Sequence, residues 1–400
     1  MLVVRNESQI DPSDSLITVD AKSYGGTVNV VGAVALDENF KVLPLISGFL
    51  SECFTSLNCS PSTVKTYGRN ILYFFNYLKL RVEFSSLNAD DMFLLVKKHT
   101  IKEYFVELQK QGIHSRTIRN RDSAIYMFFC EFLCKPNSGK PALRSDNPYV
   151  DGLLSGPPKT SLVESCPIYD LRELMLVSDH ERERALLQFM YDSGLRRSEI
   201  GRVTVKDIDD ALEYDRKQML LAEPHLTFST CYAPLFVHGS KGRGGEIKPR
   251  YTLVSVATLR RVKRLQSSPA FKRVQRSTKA SKMPAFLNSQ DTGYTPAGVS
   301  KLLDRLSTRA VKIKTVKRKY HPHSLRHGFA YLVLQSLDHG VDLNDRYVML
   351  QKYLGHNQLQ TTDVYTRIPH DLFENSPGQK VKSYTRAEKM EILVSQTKIK

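Results

Sequence analysis

Between Asn147 and Pro167 the chain carries Asn147-Pro148, Gly152, Gly156 and Pro157-Pro158 beside a serine-rich run, and no regular element accommodates such a stretch. Proline lacks an amide hydrogen and clashes with the preceding turn, and glycine has no side chain to bury. The stretch therefore reads as an exposed connector dividing 400 residues into two runs, each long enough for its own core. Apolar residues make up 41% of the chain, which suffices to fill both. The expected organisation is an amino-terminal extension over 1–40, a helical domain over 41–150, a linker over 151–166, a second domain over 167–370 and a tail over 371–400.

Helical periodicity dominates the first run. From Val42 to Leu133 the apolar positions fall as Ile46, Phe49, Leu50, Phe54, then Val64, Tyr67, Ile71, Phe74, Phe75, Leu78, then Tyr104, Leu108, then Ile118, Ala124, Ile125, Phe128, Phe129 and Leu133. That predicts a bundle of four or five helices, with Ser60, Ser62 and Ser115 placed to cap helix starts. Ahead of it, alternation from Ser15 to Leu36 around Gly25-Gly26 predicts a short hairpin.

The second run mixes periods. Asp170 with Glu173 and Ser178 with Glu181 fit the reciprocal capping arrangement. The second pair opens a helix with Ala185, Leu186, Phe189 and Met190 on its apolar face, ending near Gly194. From Leu212 to Val256 β-prone residues prevail, and Gly239 to Gly245 separates Leu226–Val237 from Ile247–Val254 as a strand-turn-strand would. Helical periods return over Val256–Leu265, Pro296–Leu306 and Ser324–Leu337. Thr385 with Glu388 opens a last helix bearing Met390, Leu393 and Val394, which is short enough to need a docking partner. The fold class expected is mainly α, with a small antiparallel sheet in the second domain.

A formal net charge of +17 favours a polyanionic partner, because Lys and Arg that displace condensed counterions bind nucleic acid strongly; a merely basic surface is the alternative. Basic residues crowd Arg260–Lys282 and Lys312–Lys319, interleaved with Val262, Leu265, Phe271 and Val274, as in helices that bury one side and offer the other to phosphates. The six cysteines form no CxxC pair and have no histidine at finger spacing, so they read as reduced, mostly buried thiols. The first 19 residues lack a basic end and an apolar run, and no segment approaches a membrane span, so a cytoplasmic protein is expected.

Five separated segments carry reactive residues: Gly194-Leu195-Arg196-Arg197-Ser198-Glu199, Gly239-Ser240-Lys241-Gly242, His323-Ser324-Leu325-Arg326-His327, Leu354-Gly355-His356 and Thr361-Thr362-Asp363-Val364-Tyr365. In order and spacing they resemble the tyrosine recombinase (phage integrase) family. The likeness spans about Asp170 to Arg367, and more weakly the helical region, where Thr63, Tyr67, Phe75, Leu78, Thr117 and Asn147-Pro148 match the family's core-binding domain. Two stretches are longer than the family pattern: Arg196 to Lys241, and Arg326 to His356, where Asp338–Arg346 read as inserted.

Chemistry and resemblance agree. Attack on an anionic phosphodiester requires positive charge on the nonbridging oxygens as the transition state forms, and arginine supplies two parallel bonds without deprotonating. Arg196 and Arg326 are the candidates, and the family pattern favours Arg196 over its neighbour Arg197. The resemblance implies Lys241 as the acid that protonates the departing 5′ oxygen; a hairpin-tip lysine touching DNA backbone is the other reading. His323 and His356 can bond the phosphate or relay a proton, and which one is the base stays open, while His321 and His327 read as structural. Glu199 either holds Arg196 or His323, or is a surface carboxylate. Tyr365, nine residues after His356, takes the nucleophile's place.

No cofactor and no metal site are expected. The resemblance implies double-stranded DNA with specific recombination sites as partner, and a tetramer on two sites with the terminal helix seated in a neighbouring protomer. Packing of that helix on its own chain is the alternative. Accessory proteins and association with the nucleoid are further expectations. Three functions stay open at this point: a strand-exchanging integrase or transposase of a mobile element; chromosome dimer resolution or topoisomerase-like relaxation by the same chemistry; and a DNA-binding module without catalysis. Retention of all six residues argues against the last, and the first 40 residues tilt toward the first.

Overall fold

The computed structural model describes residues 2–10, 28–136, 141–158, 163–221, 231–239, 247–355, 362 and 384–399. They form two compact units, one within residues 1–160 and the other within residues 161–400.

In the first unit, phenylalanines at helical spacing decide the packing. Helices α1 (Pro44–Thr55), α2 (Pro61–Lys79), α3 (Ala89–Leu95), α4 (Lys98–Lys110) and α5 (Ser115–Tyr126) turn their apolar stripes inward, and α5 runs on into a π-helical segment, Met127–Leu133. Phe49, Phe74, Phe93, Phe128 and Phe129 are wholly buried. Phe128 meets Phe93 and Phe49 edge-on, at centroid distances of 4.9 and 5.3 Å. Each such ring contributes about 1.5–3 kcal/mol through the area it removes from water. Ser60 caps α2 as expected, accepting from the Thr63 amide, whereas α5 is capped by His114 rather than Ser115. Strand β2 (Val28–Ala35) pairs antiparallel with β1 (Leu2–Ile10). Leu2-Val3-Val4 supplies high strand propensity to β1; Ser15 and Gly25-Gly26 of the expected hairpin lie outside the described residues. Ala33 and Ala35 of β2 are buried in the core of this unit, and the Ala35 amide donates to Ser47 Oγ on α1 at 3.1 Å. Ser155, within the expected linker, is held to the unit by its amide and hydroxyl, each 2.7 Å from Oδ2 of the wholly buried Asp122.

The second unit is built around α7 (Glu181–Ser193), where every residue from Ala185 to Ser193 is buried. A helix covered on all sides is a core helix. Around it stand α6 (Ile168–Leu176), α8 (Arg197–Ile200), α9 (Val205–Leu221), the antiparallel pair β3 (Tyr232–Val237) and β4 (Arg250–Ser255), α10 (Val256–Gln266), α11 (Pro269–Gln275), α12 (Pro296–Lys312), α13 (Pro322–Gln335), α14 (Leu343–Leu354) and α15 (Arg386–Thr397). Residues Ala233, Leu235 and Val237 face the core from alternate positions of β3.

Several expectations for this unit are corrected. The β-prone reading from Leu212 gives way to α9, which runs to Leu221. Helix α6 starts behind Pro167, which places Asp170 in its first turn rather than at its cap. Ser178 does not cap α7: His180 precedes that helix, and the Ser178 hydroxyl donates instead to Glu183 Oε2 at 2.6 Å. Of the six free cysteines only Cys53 and Cys166 are buried. Arg261, within the basic run Arg260–Lys282, lies on the buried side of its helix, bound to Glu181, Gln188 and Thr397. Helix α15 opens with the expected Thr385–Glu388 capping box, and Met390 and Leu393 sit in this unit's core, so its seat here is on its own chain.

Candidate active site

Helix α7 ends in a turn that only glycine can make. Gly194 has φ of +62°, and a β-carbon there would stand 2.4 Å from Phe329 Cδ1. The chain then reverses through buried Leu195, so that Arg196 becomes the N-cap of α8. Glu199 closes that short helix on itself: its Oε2 accepts the Arg196 amide at 2.8 Å, and its Oε1 accepts Arg196 Nη1 at 3.1 Å.

Glu199 is 1% exposed and is gripped a second time. Arg250, the first residue of β4, donates Nη1 and Nη2 to its two oxygens at 2.8 Å each, and donates Nε to the Tyr353 carbonyl at 2.8 Å. Burial pushes the Glu199 carboxyl up, but the Arg250 bonds and charge and the Arg196 amide and guanidinium outweigh it and bring its pKa to about 2. Of the alternatives left open for Glu199, the structure takes the first: the carboxylate holds Arg196 and is not on the surface. Gly355, left-handed at φ +63°, presses on the same arginine; a β-carbon there would reach 2.7 Å from Arg250 Cδ.

Arg326 lies on α13, 1% exposed, with Nη1 on the Gly194 carbonyl at 2.6 Å and Nη2 on the Leu354 carbonyl at 2.7 Å. Those carbonyls close α7 and α14, where helix dipoles leave negative ends, so one cation satisfies two helix termini. His323 sits one turn ahead on α13 at the solvent edge of the cluster. Partial burial and the nearby charges of Arg326, His321, Arg196 and Arg197 push its pKa down to about 4, so it is neutral at pH 7. The His327 ring packs against it edge-on at 4.5 Å, and His321 caps α13 by accepting the Ser324 amide, which fits the structural roles expected of both.

Arg196, Glu199, His323 and Arg326, from two distant segments, are thus brought together. Arg197 turns away to Ser300 Oγ on α12 at 2.8 Å. Lys241, His356 and Tyr365 lie outside the described residues. Sequence reasoning missed Arg250, because nothing in Lys248-Pro249-Arg250 separates it from the other basic residues of a strongly basic chain. Among the described residues no His, Cys, Asp and Glu side chains cluster closely enough to hold a metal ion, and no helix is long and apolar enough to cross a membrane.

No protein-family model matches the chain. The tyrosine recombinase XerC of Pelotomaculum thermopropionicum is 26% identical over 333 residues, 81% of this chain and 93% of that protein. The tyrosine recombinase XerC of Oceanobacillus iheyensis is 28% identical over 321 residues, 78% and 88% respectively. In fold, the chain is similar to the XerH site-specific recombinase in its post-cleavage complex with palindromic difH substrate, at TM-score 0.55 and 18% identity over 81% of each chain. It is also similar to the Tn1549 transposon integrase in complex with transposon right end DNA, at TM-score 0.51 and 15% identity over 83% of this chain and 98% of that one. The chain is thus similar in sequence to tyrosine recombinases of the XerC kind along nearly their whole length, and it has the mainly helical fold with a small antiparallel sheet that was expected.

Proposed function

We propose that the chain is a site-specific DNA recombinase that cleaves and rejoins strands through a 3′-phosphotyrosyl intermediate, with Tyr365 as nucleophile. The observation that carries the reading is the convergence of Arg196, Arg326 and His323 on one place between the end of α7 and the start of α13. A backbone phosphate entering there meets fixed cationic donors. The Tyr365 phenol oxygen bonds to phosphorus as the bond to the 5′ oxygen breaks, and Lys241 gives that oxygen a proton. The phosphotyrosyl bond keeps the energy of the phosphodiester, so the 5′-hydroxyl of a second strand reseals it by the reverse steps. Arg196 and Arg326 neutralise the nonbridging oxygens, and His356 or His323 relays the phenol proton. Neutral His323 both donates and accepts, which suits it to a relay. Glu199 acts through Arg196.

Strand exchange takes place on double-stranded DNA carrying specific sites, in a tetramer spanning two of them, in the cytoplasm at the nucleoid. In that assembly each terminal helix takes the equivalent seat on a neighbouring protomer, and accessory proteins take part. Service to a mobile element is the role proposed over relaxation of a single duplex.

Sheared chromosomal DNA from the cells that encode the chain serves as a test substrate whatever the sequence of the target. After detergent and potassium precipitation, wild type carries covalently bound fragments and Tyr365→Phe carries none; equal recovery from both removes Tyr365 from its role. Sequencing the trapped fragments defines the site. Two plasmids bearing that site are joined by a recombinase, whereas a relaxing enzyme only unwinds each of them.

A further inference from the structure

The insertion read at Asp338–Arg346 turns out to build, with the residues before it, a receptor for the first turn of α15. The α15 amides of Arg386 and Ala387 donate to Ser336 Oγ at 2.7 Å and to Tyr232 Oη at 2.8 Å, and Tyr232 Oη in turn donates to Asp338 Oδ2 at 2.5 Å. Through this receptor the Arg386 side chain reaches the centre of the unit, 0% exposed. Its Nε donates to His339 Nε2 at 3.0 Å, its Nη2 to the Leu253 carbonyl at 3.1 Å, and its Nη1 to the Asp192 carbonyl and Oδ1 at 2.6 and 3.0 Å. The guanidinium also lies over the rings of Tyr232 and Phe329, at 4.4 and 5.2 Å.

Two of those contacts touch the catalytic turn. Asp192 is two residues before Gly194, whose carbonyl holds Arg326. Phe329 is the ring on which Gly194 rests, and it lies three residues beyond Arg326 on the same face of α13. Arg386 therefore grips both sides of the junction from which Arg196 and Arg326 are aimed. A buried arginine donating to several acceptors in fixed directions is a geometric constraint that an apolar contact of equal area cannot impose.

We propose that Arg386 is a positioning residue for strand cleavage: seated by Ser336, Tyr232 and His339, it clamps the last turn of α7 against Phe329 and so holds Arg196 and Arg326 in register. The proposal rests on the recombinase reading above. It gives the insertion a task, that of seating Arg386.

The test compares full-length Arg386→Ala and Arg386→Lys with Leu393→Ala, which removes a buried side chain two turns further along the same helix. Melting temperature, affinity for sheared chromosomal DNA, rate of detergent-resistant adduct formation at saturating DNA, and hydrogen exchange over residues 189–199 are measured for each. Loss of register is expected to slow adduct formation about 10- to 100-fold in Arg386→Ala with affinity unchanged, since small misplacements of catalytic groups cost that much. Leu393→Ala, at a similar loss in melting temperature, keeps the wild-type rate within about twofold, the cost of a misplaced group being absent there. Arg386→Lys, reaching fewer acceptors, falls between and carries the comparison alone if Arg386→Ala does not fold. Exchange over 189–199 quickens in the Arg386 variants only. Parallel loss of rate in Arg386→Ala and Leu393→Ala, or unchanged exchange over 189–199, overturns the proposal. Absence of any adduct in wild type instead overturns the recombinase reading, and the exchange data still decide whether Arg386 holds the turn.

Discussion

Glu199→Gln removes one charge from the centre of the site while keeping the side chain's shape, and its cost can be worked from the contacts. The carboxylate accepts two bonds from Arg250, one from the Arg196 guanidinium and one from the Arg196 amide. Its pKa is carried from an ordinary 4.5 down to about 2, which at about 1.4 kcal/mol per tenfold in proton affinity corresponds to roughly 3 kcal/mol favouring the ionised, folded form. Because the folded value is the lower one, that stability is fully present above pH 4.5 and is lost as pH falls toward 2. At pH 7 the variant is therefore expected to lose about 3 kcal/mol, in the range for breaking a buried pair. The difference from wild type should narrow as the pH falls below 4.5 toward 2. Pulse proteolysis across a urea series reads the second unit by its own fragments at each pH. Arg250→Met in the same assay completes a double-mutant cycle, and the double variant should lose at least about 1.5 kcal/mol less than the two single losses added together, because neither charge is then stranded. Strict additivity, or a Glu199→Gln cost that does not change with pH, would refute the reasoning.

Gly194→Ala forces a left-handed L-residue into the Phe329 ring, and urea unfolding should show a loss of about 2–5 kcal/mol with adduct formation abolished. The His323 imidazole should titrate near pH 4 by NMR. Its folded pKa lies below the ordinary 6.5, so the stability it contributes is present above 6.5 and lost as pH falls toward 4; His323→Gln should flatten that part of the wild-type pH-stability curve.

Helical segments with strong periodicity were legible in sequence, since burial repeats every three to four residues whether the neighbour is near or far in the chain: α2, α10 and α12 begin at Pro61, Val256 and Pro296, where caps and periods said they would. Local propensity failed where long-range contacts decide. The residues beyond Leu212 are β-prone yet continue α9, and β2 takes as partner Leu2–Ile10, which the sequence reading did not single out. In the site, Arg196, Arg326 and Glu199 stood out because motif order and spacing mark them. Arg250 did not, because its meaning comes from a carboxylate 51 positions away. Arg386 was invisible for the same reason: an arginine at the start of a lone helix reads as solvated, and only the receptor around Ser336 and His339 reveals that it is buried.

The central claim is that one phosphate is held by the cations of α8 and α13 while a phenol attacks it. Protease digestion of the trapped adduct, followed by mass spectrometry of the nucleotide-bearing peptide, tests it directly. The account predicts a 3′-phosphonucleotide on Tyr365, a free 5′-hydroxyl on the released strand, and loss of that peptide in Arg196→Ala and Arg326→Ala. A nucleotide on any other side chain, or a phosphate left on the 5′ end, would contradict it.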